Sequence, residues 1–124
     1  MFLILLSGSF LITAESFSAK GISMRMMVRY TLPHEPFNTA VRDGSIGAKM
    51  KKILDEQKPE AAYFMAHNGR RCAVLIMDLP EASKIPSFAE PWFLTFNADI
   101  EVQPVMNSQD LAAAGLEALG KKWG

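Results

Sequence analysis

Glu60–Asp78 reads EAAYFMAHNGRRCAVLIMD, two strand-like apolar runs separated by Asn68-Gly69. A type I′ turn needs positive φ at both central residues, which Asn tolerates and Gly adopts without steric cost, so this stretch predicts a tight β-hairpin. A two-residue loop leaves the register no freedom. His67 falls opposite Arg70, Met65 opposite Cys72, Tyr63 opposite Val74 and Ala61 opposite Ile76 on one face, while Ala66, Arg71, Phe64, Ala73, Ala62 and Leu75 share the other. Cys72 to Met77 is apolar on both faces, and a strand of that kind is expected to be covered on both sides.

Upstream, Met24–Leu32 alternates, with Met26, Val28, Tyr30 and Leu32 on one face and Arg25, Met27, Arg29 and Thr31 on the other. Pro33 ends this strand, and Pro36 suits the first position of a helix. Phe37, Ala40, Val41, Ile46, Met50, Ile53, Leu54 and Gln57 keep helical spacing, which predicts one helix with a weak point at Asp43-Gly44-Ser45 and a stop at Lys58-Pro59. Downstream, Ile85, Phe88, Ala89, Trp92, Phe93 and Phe96 recur as one apolar stripe, predicting a helix that Pro86 starts and Pro91 bends or loosens. Asp99–Met106 alternates as a fourth strand, with Pro104 favouring an edge position. Asn107, followed by Asp110, resembles a capped start for one alanine-rich helix over Leu111–Lys122.

The order β-α-β-β-α-β plus a last helix is the ferredoxin-like α+β pattern, with the first and third strands central and both covering helices on one sheet face. Met26, Val28, Tyr30, Phe64, Leu75, Met77, Ile100 and Val102 form the drier set, expected beneath the helices. Arg29, Thr31, Tyr63, Met65, Cys72, Val74, Ile76, Asp78, Glu101 and Gln103 form the other. That second face is too apolar to leave in water and too charged to bury unpaired, a conflict that packing against a second copy resolves. A homodimer with a barrel-like interior between two sheets is therefore expected.

The chain has 124 residues, 49% of them hydrophobic, with thirteen Lys and Arg balancing thirteen Asp and Glu. One domain over residues 24–124 fits that length, and a formal charge of zero argues against nucleic acid or an anionic membrane surface as partner. The lone cysteine, Cys72, and the two histidines, His34 and His67, offer neither a disulfide framework nor a metal cage. Glycine-rich phosphate loops, C-x-x-C, H-E-x-x-H and G-x-S-x-G are missing, so no cofactor is expected. Residues 1–23 form an apolar extension. Met1–Ala14 is too short to span a bilayer, and without Lys or Arg before Lys20 it is a poor secretory signal. A natural start at Met24, and with it a cytoplasmic location, is the expectation; export follows instead if the extension works as a signal.

MRMMVRYTLP, KPEAAYF at Lys58–Phe64, AEPWF at Ala89–Phe93 and IEVQPVM at Ile100–Met106 resemble an uncharacterised family of bacterial proteins of about this domain's length. That family belongs to the dimeric α/β-barrel superfamily, and some members carry the label pantothenate synthetase. The resemblance spans Met24–Gly124 and implies the dimeric barrel, but no mechanism; the nucleotide motifs of true pantothenate synthetases are missing. The wider superfamily includes cofactor-free monooxygenases, haem-degrading enzymes and isomerases.

Five residues are candidates for ligand contact: Arg29, Tyr63, His67, Glu101 and Trp92. Arg29 and Glu101 share a face of neighbouring strands and suit an ion pair at the dimer interface. Tyr63, His67 and Asp78 share that face too, although His67 and Asp78 lie at opposite ends of the hairpin and cannot meet within one chain. Trp92, with Phe88 and Phe96, has the spacing of core residues as well as of an apolar pocket wall. His34 reads as a solvated turn residue, Cys72 as buried and inert, and Arg70-Arg71 as one side chain to each face. The function expected is binding of a small, partly apolar organic molecule. A cofactor-independent monooxygenase or isomerase, or a filled dimer that contacts other proteins, are the alternatives, and whether the protein is an enzyme stays open.

Overall fold

The computed structural model describes residues 23–124. The reading of residues 1–22 as leader or misplaced start lies outside the described residues. From Met24 the order is β1 (Met24–Leu32), α1 (His34–Asp43), α2 (Ile46–Gln57), β2 (Ala61–His67), β3 (Arg70–Leu79), a 3₁₀ turn (Ala82–Lys84), α3 (Ile85–Phe96), β4 (Asp99–Pro104), α4 (Ser108–Ala112) and α5 (Leu116–Trp123). The four strands form one sheet in the order β2-β3-β1-β4, antiparallel throughout. This is the ferredoxin-like arrangement, with β1 and β3 central.

Asn68 and Gly69 both have positive φ, 53° and 76°, as a type I′ turn requires. The hairpin takes the register that this turn dictates, from His67 opposite Arg70 to Ala61 opposite Ile76. β1 then pairs Val28 with Leu75 and Tyr30 with Ala73, so the even-numbered residues of β1 align with the apolar face of β3. Met26, Val28, Tyr30, Leu32, Ala73, Leu75, Met77 and Leu79 are buried in one core with Ile53 of α2 and Phe88, Trp92 and Phe96 of α3. Ile100 and Val102 pack on it from β4, half-buried. Trp92 stacks on Tyr30 with ring centroids 4.2 Å apart, and both are fully buried.

Their polar atoms are satisfied. Tyr30 donates its hydroxyl to the Phe88 carbonyl at 2.9 Å, and Trp92 donates Nε1 to Gln57 Oε1 at 3.1 Å. Gln57 in turn donates Nε2 to the Ser87 carbonyl at 3.1 Å. That carbonyl is the one which Pro91, four residues on and lacking an N–H, leaves without a helical donor. α3 runs as one helix through Pro91, where the sequence predicts a bend or loosening.

Three expectations are corrected. The helix predicted up to Gln57 is two helices, because Gly44 takes a left-handed φ of 83° and caps α1. The C-terminal helix is likewise broken, by Gly115 at φ 76°, into α4 and α5. Phe64 is 52% exposed and not beneath the helices, because β2 is an edge strand whose residues are exposed from Tyr63 onward. Within the described residues the helices cover one face of β3, and Val74 and Ile76 on the other are half-buried. Among the described residues no helix is long and apolar enough to cross a membrane.

Candidate functional site

Strand alternation sends the odd-numbered residues of β1 to the face away from the helices. Register then lines them up across the sheet. Tyr63, Val74, Arg29 and Glu101 form one row over all four strands; Ala61, Ile76, Met27 and Gln103 form the row on one side of it, and Met65, Cys72, Thr31 and Asp99 the row on the other. Three of the five sequence candidates therefore stand in a single line on the uncovered face.

Arg29 is the centre of that line. Its Nε lies 3.4 Å from Glu101 Oε1, and its Nη1 points to Cys72 Sγ at 3.7 Å. The ion pair is open to water in the single chain, with 31% of the Arg29 side chain and 75% of the Glu101 side chain exposed. Tyr63 and Met65 are also exposed on this face, whereas Cys72 is buried, hemmed in by its neighbours Thr31 and Met65. The face thus offers a guanidinium and a carboxylate in the midst of a phenol, thioethers and aliphatic side chains.

His67 joins the site through tertiary geometry. It ends β2 opposite Arg70, yet an open recess of about 530 Å³ is lined by Arg29, Thr31, His67, Asn68, Asp99, Ile100 and Glu101 together. An imidazole, a guanidinium, two carboxylates and a hydroxyl border one space. Asp78 does not belong to it: eight residues beyond Arg70 on β3, it lies about 26 Å from the His67 end of the sheet at the usual strand rise.

Trp92 lies on the opposite side of the sheet, in the core with Phe88 and Phe96, and is fully buried. His34 is exposed at the start of α1. Arg71 turns to the helix side, where it donates to Asn38 Oδ1 at 2.7 Å and covers the Phe37 ring at 4.4 Å, so it forms no clamp with Arg70.

Sequence reasoning did not single out Arg25, Thr31 or Asp99. Arg25 holds Glu60 at 3.1 Å and Asp110 at 3.2 Å, and the hydrogen bond and charge of Glu60 raise its guanidinium pKa further. Asp110 is 85 residues away in the chain, so no local pattern announces the contact. Asp99 and Thr31 were legible in principle, since each follows from extending the register by one row. Among the described residues, no three His, Cys, Asp or Glu side chains gather as a metal ion would need.

The topology and the polar line across its open face define a small α+β protein of ferredoxin-like fold. Its sequence carries the matching relationship: residues 24–119 fit the model of the domain of unknown function DUF3303, and the chain belongs to that family. No curated protein and no solved structure matches it.

Proposed function

We propose that this protein is a homodimer whose two open sheet faces enclose an interior that binds a small, partly apolar organic molecule. The observation that carries this reading is the row Tyr63, Val74, Arg29 and Glu101 on a sheet face that no described residue covers. Apolar side chains favour leaving water, while an ion pair among them needs polar company; a second sheet with a ligand between supplies both. Arg29 would anchor a polar or anionic group of the ligand, and Tyr63 and Met65 would contact its apolar body.

A second reading, catalysis without a cofactor, is supported by the open recess whose lining includes His67, Arg29, Asp99 and Glu101. Imidazole and carboxylate groups around one space are what proton transfer to or from a bound substrate requires.

Native mass spectrometry of the full chain purified from its own host tests both readings. A dimer with a retained small molecule, lost in Arg29→Met, is the expected result; an empty monomer overturns the binding reading. Conversion of the retained molecule on incubation, abolished in His67→Gln, marks the protein as an enzyme. Retention without conversion leaves it a binding protein.

A further inference from the structure

The last seventeen residues carry an apolar stripe that nothing in the described chain covers. Asn107 opens α4 with a reciprocal cap, its side chain accepting from the Asp110 N–H at 2.8 Å and its own N–H donating to Asp110 Oδ2 at 3.0 Å. Gly115 then turns the chain into α5, where Leu116, Leu119 and Trp123 stand at i, i+3 and i+7. These three are 59%, 47% and 77% exposed, and no residue from 108 to 124 is buried. A helix of eight residues has little stability alone in water, so this stripe calls for a surface to lie on.

We propose that the arm formed by α4 and α5 packs its apolar stripe on a second copy of this chain, clasping the dimer. The inference rests on the dimer reading given above. Two observations choose this occupant. First, the arm leaves from the rim of the uncovered sheet face: Arg25, on that face opposite Asp78, grips Asp110 at 3.2 Å, so the arm is continuous with the surface a second sheet would cover. Second, the sheet alone is small. Four strands about 4.8 Å apart, sharing about six residues of length, make a footprint of roughly 400 Å², about half of the 800 Å² that each partner of a stable pair commonly buries. Side-chain relief adds to that footprint without doubling it, whereas Leu111, Leu116, Leu119 and Trp123 supply further apolar area; an aromatic side chain alone can bury about 150 Å² or more. A membrane surface is a poorer occupant, since Lys121 and Lys122 are the arm's only basic residues.

The chain's own fluorescence tests this. Of its two tryptophans, Trp92 is buried against Tyr30 and Trp123 is exposed in the single chain. Iodide quenching of the full chain is followed through a dilution series whose dimer dissociation is located by sedimentation. The expected result is a quenchable fraction that rises as dimer gives way to monomer, a rise absent in Trp123→Phe. Leu116→Ser with Leu119→Ser is expected to weaken the dimer about tenfold or more, with Trp92 emission unchanged as the sign of an intact core. A dimer in which Trp123 is equally quenchable at every concentration overturns the clasp and leaves the dimer standing. A monomer throughout overturns both. Protection of Trp123 in the monomer places the arm on its own chain, and protection only after adding phosphatidylcholine–phosphatidylglycerol vesicles places it on a membrane; either result overturns the clasp.

Discussion

Gln57 donates its side-chain amide to the Ser87 carbonyl that Pro91 leaves without a helical donor. The same amide reaches the Phe88 carbonyl at 3.3 Å, and its oxygen receives the Trp92 indole N–H. One side chain at the end of α2 thus satisfies both the proline defect of α3 and the polar atom of the largest core residue. The arrangement welds the two helices over the sheet and leaves the opposite face free for the site.

Gln57→Leu should destabilise the fold by about 1–3 kcal/mol, because it orphans the buried Trp92 indole N–H and removes the side-chain donor to the Ser87 carbonyl. In a Pro91→Ala background the helix regains its own donor to Ser87, so the same substitution should cost less. Urea unfolding of the two single variants and the double variant measures the coupling; simple additivity would show that Gln57 does not serve the proline.

Burial holds the Tyr30 phenol neutral and raises its pKa well above the ordinary value. The unfolded chain ionises this group near pH 10, and the folded chain does so only at higher pH. Its contribution is therefore fully present below pH 10 and lost as pH climbs toward the raised folded value, at about 1.4 kcal/mol per pH unit. Tyr30→Phe should cost about 1 kcal/mol at pH 7 through the lost bond to Phe88, while its stability should decline less steeply above pH 10. Unfolding midpoints from pH 7 to 11.5 compare the two proteins, and parallel declines would contradict the burial of the phenol.

Arg29→Met separates the ion pair's value in one chain from its value in the dimer. With Glu101 largely exposed, the monomer should lose only about 0.2–1 kcal/mol, visible as a small shift of the unfolding midpoint in dilute protein. If two sheets enclose the pair, an unpaired Glu101 costs roughly 3–5 kcal/mol, weakening the dimer by about 10²-fold or more. Sedimentation equilibrium reads this directly. An unchanged dimer constant would remove the pair from the interface.

The hairpin was legible because Asn68-Gly69 is a local signal: its backbone preference selects the turn, and the turn selects every pairing of β2 with β3. The pairings of Arg29 with Glu101 and of Tyr63 with Val74 follow from it once β1 and β4 are aligned by their apolar alternation. The two broken helices were less legible. Gly44 was a weak point that became a stop, and Gly115 passed as one more small residue in an alanine-rich run, because glycine lowers helix stability without dictating a break. Phe64 was assigned by parity alone. Parity tells which face a side chain takes, but not how far the helices reach along an edge strand.

Composition and periodicity alone determined the α+β class, the strand order, the hairpin register and the polar line on one sheet face, since all of these derive from preferences acting between residues close in sequence or in fixed alternation. The sharing of one open recess by His67, Arg29 and Glu101, the bond from Gln57 to Ser87 and the grip of Arg25 on Asp110 were decided by tertiary structure. Each joins side chains from elements far apart in the chain, and their distances depend on how the strands twist and the helices seat on the core, quantities that no local pattern encodes.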